Sequence, residues 1–163
     1  MGELYVMIGI PGSGKSTYVK EYLKEYLETC LYKTTKYVSR DDIRLKYLKE
    51  EDDHFARETE VYNEFIDEIL DGFINYDCTI ADATHLSKGS RAKLLGTLYK
   101  DIKDYNIKVI GIVMDSDPET CLERNSKRQG RALVPENIMK SMINAFTIPK
   151  KSEGFDEIEI ISN

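Results

Sequence analysis

The sequence is short of several things, and each shortage removes a class of protein. Its apolar residues nowhere run to the roughly 18 that a membrane span needs. The opening MGELYVMIGI has no basic segment and no small-residue cleavage site, so no secretory signal peptide is expected. Val6 stands where the myristoylation pattern of a Met-Gly start wants Ser or Thr. Cysteine is scarce: Cys30, Cys78 and Cys121 are odd in number and far apart, with no C-x-x-C pair. Three reduced thiols and a cytoplasmic setting are expected. His54 and His85 are isolated, so no zinc site is expected from spacing. There is no low-complexity tract and no internal repeat. Basic residues are outnumbered, 23 against 29, for a net charge of −6. That balance disfavours broad, non-specific binding to nucleic acid but leaves room for a local basic groove.

What is present is ordinary for a globular chain. The 163 residues are 41% hydrophobic and 32% charged. That length suits one domain, expected over residues 1–163, with enough apolar surface for a real core. Leu4–Ile8 is a continuous apolar run followed by glycines, which fits a strand buried on both faces. Further strands are expected at Lys36–Ser39, Cys78–Ala81, Lys108–Met114 and Phe155–Ile161. Helices are expected at Lys15–Thr29, Asp41–Lys49, His54–Phe73, Ser87–Lys103, Pro118–Gln129 and Pro135–Phe146. Alternation of this kind implies parallel strands with helices on both faces, and a ligand at the carboxyl ends of the strands.

Gly9-Ile10-Pro11-Gly12-Ser13-Gly14-Lys15-Ser16-Thr17 matches G-x-x-x-x-G-K-[ST] between a buried strand and an amphipathic helix. Gly9, Gly12 and Gly14 let the backbone, with Ser13, turn its N–H groups onto phosphate oxygens. Lys15 reaches the β- and γ-phosphates, Ser16 can ligate Mg²⁺, and Thr17 opens the helix behind them. A nucleoside triphosphate is the expected ligand. The fold expected is therefore α/β of the P-loop NTPase, nucleoside-kinase-like kind: a parallel sheet of about five strands, helices on both faces, and a helical lid at about 118–146. Neither N-K-x-D nor D-x-x-G occurs, which disfavours a GTPase. The chain is also short for a transporter or helicase ATPase. A small phosphotransferase remains, and it needs an acceptor site and a lid.

For the acceptor site, Ser39-Arg40-Asp41-Asp42-Ile43-Arg44 follows the second strand. Ser39 and Asp42 have capping-box spacing. Asp41 and Arg44 share a helix face. They can be an acid–base carboxylate with a charge-stabilising cation, or a first-turn Asp on the helix dipole with a solvated Arg. Asp82 ends the third strand at the ligand edge. It can orient the acceptor, hold Arg44, support the metal, or simply make a turn. For the lid, Arg124–Arg131 carries four basic residues and no acid. Arg124 and Arg128 lie on one helix face and can straddle a triphosphate, though a solvated basic face is the commoner case. Gly130 and Pro135 bracket a loop that can close and exclude water. Asp115-Ser116-Asp117 is better read as a helix start, with Asp117 capping and Pro118 in the first turn, than as a phosphoaspartate motif.

GIPGSGKST, SRDDIR, ADAT and RNSKRQGRALVP, in this order, resemble the kinase domain of bacteriophage T4 polynucleotide kinase and the wider group of P-loop 5′-hydroxyl kinases. The resemblance runs from about residue 4 to residue 146. It implies an ATP- and Mg²⁺-dependent kinase acting on the 5′-hydroxyl ends of DNA or RNA. By position it implies Lys15 and Ser16 on the ATP phosphates and metal, and Asp41 as general base. It further implies Arg44 on acceptor phosphate, Asp82 shaping the acceptor site, and Arg128 with Arg124 acting from the lid. Arg124 and Val134 are expected to flank the adenine. The phage enzyme has a 3′-phosphatase domain beginning where this chain stops, so healing of both ends is not expected from this polypeptide alone. The lid loop is one residue longer here, and relatives with similar closing strands phosphorylate varied acceptors. A kinase of a small molecule or nucleoside, and an ATP-binding module with slow hydrolysis, are the alternatives.

Overall fold

Strand β1 (Gly2–Ile8) lies at the centre of the sheet, and its alternating side chains organise both faces. The computed structural model describes residues 2–49, 51–53 and 55–162. Among these, β1 sits between β3 (Cys78–Asp82) and β4 (Ile107–Asp115), with β2 (Thr35–Ser39) and β5 (Glu157–Ser162) at the edges. All four pairings are parallel. Leu4, Val6 and Ile8 pack on one side against Val61, Phe65 and Ile69 of α3 (Glu58–Asn75) and Leu94 and Leu98 of α4 (Lys88–Asp104). Tyr5 and Met7 pack on the other side against Val19, Leu23 and Leu27. A two-sided core of this kind is why the strand reads as an unbroken apolar run.

The chain passes over β3 to reach β2, and later passes over β1 to reach β4. The connections therefore diverge between β1 and β3, and a crevice opens at their carboxyl ends. The phosphate-loop motif follows β1 and the Asp82 segment follows β3, so topology brings both to that crevice.

The helix after the motif differs from the expected one. It begins as α1 (Lys15–Tyr18) and continues through two wide π-helical turns, Val19–Leu23 and Tyr26–Cys30. Its buried residues, Val19, Leu23 and Leu27, recur every fourth position. A stripe at that spacing drifts around a helix of 3.6 residues per turn, whereas i→i+5 bonding keeps it facing the sheet. Tyr22 and Tyr26, on the same helix, are 63% and 53% exposed.

Helix α2 (Arg40–Tyr47) starts where Ser39 accepts a hydrogen bond from the Asp42 N–H at 3.2 Å. The helix expected from His54 begins later, at Glu58. His54 lies outside the described residues, and Phe55 sits in a turn rather than on the helix stripe. Ser87 and Ser90 cap α4 reciprocally. The lid comprises α5 (Pro118–Ser126), a 3₁₀ turn (Gly130–Ala132) and α6 (Glu136–Ala145). Asp117 caps α5 by accepting from the Thr120 N–H and hydroxyl, each at 3.1 Å. Phe155, expected to open the last strand, instead lies before it and packs onto Gly111. Cys30 is exposed, Cys78 and Cys121 are buried, and all three are free thiols. Among the described residues no helix is long and apolar enough to cross a membrane.

Candidate active site

The phosphate-loop motif folds as a closed turn seated between two other segments. Gly12 has φ +82° and Gly14 φ +93°, a region that favours glycine. A Cβ on Gly12 would come within 2.8 Å of the Cys121 carbonyl oxygen, so the lid helix rests directly on the loop. The Gly9 N–H donates to the Thr84 carbonyl at 2.9 Å, and the Ser116 hydroxyl donates to the Ser13 carbonyl at 2.8 Å. Lys15 is buried, and its Nζ donates to the Gly9 and Ile10 carbonyls at 2.9 and 3.2 Å. Burial pushes its pKa down, against the opposing pull of Asp82 and Asp41. A lysine so placed gains when a phosphate replaces the carbonyls as its partner.

Behind the loop, the Ser16 hydroxyl donates to Asp82 Oδ2 at 2.8 Å, and the Tyr37 hydroxyl donates to the same oxygen at 2.6 Å. Asp82 is buried and lines neither cavity described below. It backs the phosphate loop, which matches the metal-supporting alternative among the roles expected of it. Burial, reinforced by the Asp82 charge and hydrogen bond, pushes the Tyr37 phenol well up. A hydroxyl with a carboxylate behind it is a hard-oxygen donor pair. Among the described residues no group of three or more His, Cys, Asp or Glu forms a metal cage. That set fits Mg²⁺, which takes one or two protein oxygens and completes its shell with phosphate and water.

Two cavities meet at the crevice. The larger, about 610 Å³, is lined by Gly12, Gly14, Lys15, Ser16 and Thr17 on one side. Arg124 and Arg128 of the lid, with Tyr18, Tyr22, Met114 and Ile161, form its other walls. The smaller, about 180 Å³, is lined by Arg40, Arg44, Phe55, Glu58, Ala83, Thr84, Val134 and Met142. Pro11 and Asp41 line both.

Asp41 projects from the first turn of α2 with its side chain 69% exposed. Arg44, one turn on, is 7% exposed, which rules out the solvated reading. Its guanidinium donates to Asp41 Oδ1 and, from Nε at 2.6 Å, to Glu58 Oε1. The Phe55 ring lies 5.1 Å from its Cζ. Arg40 donates to Glu58 Oε2 at 2.9 Å. Burial raises the Glu58 pKa, but Arg44 and Arg40 outweigh it and hold the carboxyl below its ordinary range.

The lid's basic residues differ in where they point. Arg124 lines the large cavity, and its Nη1 donates to the Gly12 carbonyl at 3.0 Å. Arg128 lines the same cavity. Lys127 pairs with Glu123 at 2.9 Å on the outer surface. Arg131 donates to the Leu45 and Leu48 carbonyls at the end of α2. Val134 is buried, and Asn125 bonds both its carbonyl and its N–H, at 2.8 and 3.1 Å. It lines the smaller cavity rather than the larger one.

Sequence reasoning missed Tyr37, Glu58, Phe55 and Arg40 as site residues. Tyr37 falls inside an expected strand and Phe55 inside an expected helix. Their partners lie far away in sequence, so no local signal marks them. Arg40 adjoined a motif that was recognised and was the one within reach.

A family model described as an AAA domain matches residues 4–149. The chain is 30% identical over 152 residues to a protein of Autographa californica nuclear polyhedrosis virus that carries the name of a bifunctional polynucleotide kinase/RNA ligase. That match covers 85% of this chain and 20% of the viral protein, so the chain spans about a fifth of that relative's length. Among solved structures, Kti12 of Chaetomium thermophilum in complex with ADP-AlF3 superimposes with a TM-score of 0.70 at 15% identity, over 98% of this chain and 88% of that one. A fungal RNA kinase gives a TM-score of 0.66 at 15% identity, over 98% of this chain and 38% of that one. At these identities the two structures speak for the fold.

Proposed function

This chain belongs to the AAA domain family, and from that premise we propose that it is an ATP-dependent 5′-hydroxyl polynucleotide kinase that moves the γ-phosphate of ATP to the 5′-OH end of DNA or RNA, as in nucleic-acid end repair. The observation that carries this reading is that Asp41 lines both the phosphate-loop cavity and the arginine-rich cavity beside it. A carboxylate at such a junction can take a proton from a group in one cavity as that group attacks a phosphorus in the other.

The balance is simple. A bond forms between the 5′ oxygen and the γ-phosphorus, and the bond from that phosphorus to the β–γ bridging oxygen breaks. The hydroxyl proton goes to Asp41, and ADP leaves. Arg44 is a positioning residue: clamped by Glu58, it holds Asp41 from one side. Lys15 meets the β- and γ-phosphates, and Arg124 and Arg128 neutralise charge that moves toward the leaving group. A magnesium ion bound beside Ser16, with Asp82 behind it, would supply charge neutralisation on the phosphates. Tyr18, Tyr22, Met114 and Ile161 offer an apolar wall for the base.

One observation favours a second reading. The acceptor cavity is only about 180 Å³ and is partly closed by Phe55, Val134 and Met142. That size suits a small acceptor such as a nucleoside or other metabolite. Transfer from γ-labelled ATP to a 5′-OH DNA oligomer, a 5′-OH RNA oligomer, a 3′-mononucleotide and a nucleoside separates the readings. The polynucleotide reading expects label on the oligomers, abolished in Asp41→Asn with ATP affinity nearly unchanged. Label on the nucleoside alone supports a small-molecule kinase. Label on none, with ATP still bound, leaves an ATP-binding module. Transfer near wild type in Asp41→Asn would overturn the general-base assignment.

A further inference from the structure

Arg40, in the wall of the smaller cavity, also reaches a cluster of side chains outside it. The Arg40 Cζ lies 5.3 Å from the centroid of the Tyr62 ring on α3, and Lys93 of α4 places its Nζ 4.3 Å from the same centroid. The Tyr62 hydroxyl shares a hydrogen bond with Thr97 Oγ1 at 3.1 Å, and that threonine in turn bonds the Lys93 carbonyl at 2.8 Å. The ring and the lysine backbone are thus tied to one turn of α4. Lys93 is exposed, and no carboxylate engages it among the described residues. Residues 88–100 contain Lys88, Arg91, Lys93 and Lys100 and no acid, in a chain of net charge −6. Arg91 is turned into the core, which leaves three lysines for the surface.

A purely structural explanation exists for one cation on a tyrosine, worth roughly 0.5–1 kcal/mol at an exposed site. It does not account for two cations gathered on one ring, where they repel each other. Glu58 neutralises the Arg40–Arg44 end, whereas among the described residues no carboxylate pairs with Lys93. A polyanion crossing the ring would supply the missing charge.

We propose that Arg40, Tyr62 and Lys93 form a docking ridge for a single nucleic-acid strand leading away from the 5′ end held in the acceptor cavity. Successive phosphates contact Arg40 and Lys93, and the tyrosine between them offers a surface for sugar or base. The ridge rests on the polynucleotide-kinase reading and deepens it. It names the acceptor as a strand of two or more nucleotides, because a mononucleotide filling the cavity does not reach Lys93. It also explains how a small cavity serves a polymer: the cavity takes the end, and the ridge takes the chain.

The test is anisotropy of a 3′-fluorescein, 5′-OH DNA dodecamer with the full chain, across a salt series, in wild type, Lys93→Ala and Lys127→Ala. Loss of one phosphate contact weakens binding roughly fivefold at about 0.1 M salt and flattens the slope of log K against log salt by about 0.7. Lys93→Ala is expected to show both changes. Lys127→Ala, a lid lysine paired with Glu123 away from the ridge, is expected to show neither. In transfer assays, Lys93→Ala is expected to lower the preference for dodecamer over 3′-mononucleotide in kcat/KM by a similar factor. Equal affinity and slope in Lys93→Ala and wild type overturn the ridge, even where transfer is efficient. Displacement of the dodecamer by a twelve-residue polyglutamate at equal concentration also overturns it, because the surface would then be a general anion site. Failure of every oligomer to accept phosphate overturns the kinase reading instead, while the binding arm still judges the ridge.

Discussion

Arg124 lies on α5 and Arg128 two residues past its end, so the helix expected to run to Gln129 stops short and the two share no helix face; they also differ in what already holds them. The Arg124 guanidinium is bonded to the phosphate loop through the Gly12 carbonyl. The Arg128 side chain makes no hydrogen bond among the described residues, although it lines the same cavity and its charge is felt at Lys15. Arg124 is therefore suited to fix the lid on the loop, and Arg128 is free to follow charge as it moves. Arg128→Ala is expected to cost about 2–4 kcal/mol of transition-state stabilisation, read as a fall in kcat of roughly 30- to 1000-fold, with a much smaller change in ATP affinity. Steady-state kinetics with the labelled oligomer checks this. A change of only a few fold would make Arg128 a surface residue.

The elements around the site are held by a second arginine system that does no chemistry. Arg91 of α4 is 1% exposed and donates to the carbonyls of His85, Leu86 and Thr147 at 2.9–3.1 Å. It also donates to Glu153 Oε1 at 2.8 Å. One side chain thus ties α4 to the loop after β3, the segment after α6 and the turn before β5. The loop after β3 supplies Ala83 and Thr84 to the smaller cavity and anchors Gly9, so this tie also sets the site. Burial pushes the Glu153 carboxyl up, and Arg91 more than offsets it, so the group sits below its ordinary range. Arg91→Met strands a carboxylate and the His85 and Thr147 carbonyls, the Leu86 carbonyl keeping the Thr147 N–H, and is expected to cost about 3–5 kcal/mol, a Tm loss of roughly 10 °C or more. Adding Glu153→Leu should restore part of it, because the unpaired charge is then gone. A thermal melt that moves by less than about 2 °C in the single variant would show that the network is dispensable.

At the scale of the whole molecule, stability should depend on pH in two stages. His85 is buried behind the phosphate loop, with Nδ1 at 2.7 Å from the Met7 carbonyl and Nε2 without a partner among the described residues. Burial, with the charges of Arg40, Lys15 and Arg91, outweighs the Met7 hydrogen bond and lowers its pKa from 6.5 to about 4. The unfolded chain takes up that proton near pH 6.5 and the folded chain does not. Stability from this group is therefore complete above about pH 6.5 and falls as pH drops toward 4, by on the order of 3 kcal/mol. Glu58 and Glu153 have folded pKa values below the ordinary 4.5, so their contributions are complete above that value and are lost as pH falls below it. Urea unfolding from pH 8 to pH 3 should show a shallow decline that then steepens. His85→Asn keeps a residue type tolerant of the φ of +47° found there and removes the upper stage alone. An unchanged slope between pH 6.5 and 4 in that variant would place the upper stage elsewhere.

Patterns that act over a few residues were legible in the sequence. The run Leu4–Ile8 announced a strand buried on both faces, and the glycines with Lys15 and Ser16 announced the phosphate loop. The Ser39 and Asp117 caps were readable for the same reason, since capping acts within one turn. That the strands run parallel followed from the alternation of elements, whereas their order in the sheet did not. What the tertiary structure alone decided are contacts between segments far apart in the chain. Asp82 read equally well as an acceptor ligand until β3 was seen beside β1, where its carboxylate takes the Ser16 and Tyr37 hydroxyls. Arg44 read as solvated or phosphate-bound until Glu58, 14 residues on, was found clamping it. Val134 lies in the same lid segment as Arg124 and Arg128 yet lines the other cavity. Local propensity and periodicity set the course of the backbone turn by turn. Which charges meet is set by the packing of whole elements, and no short stretch of sequence records that.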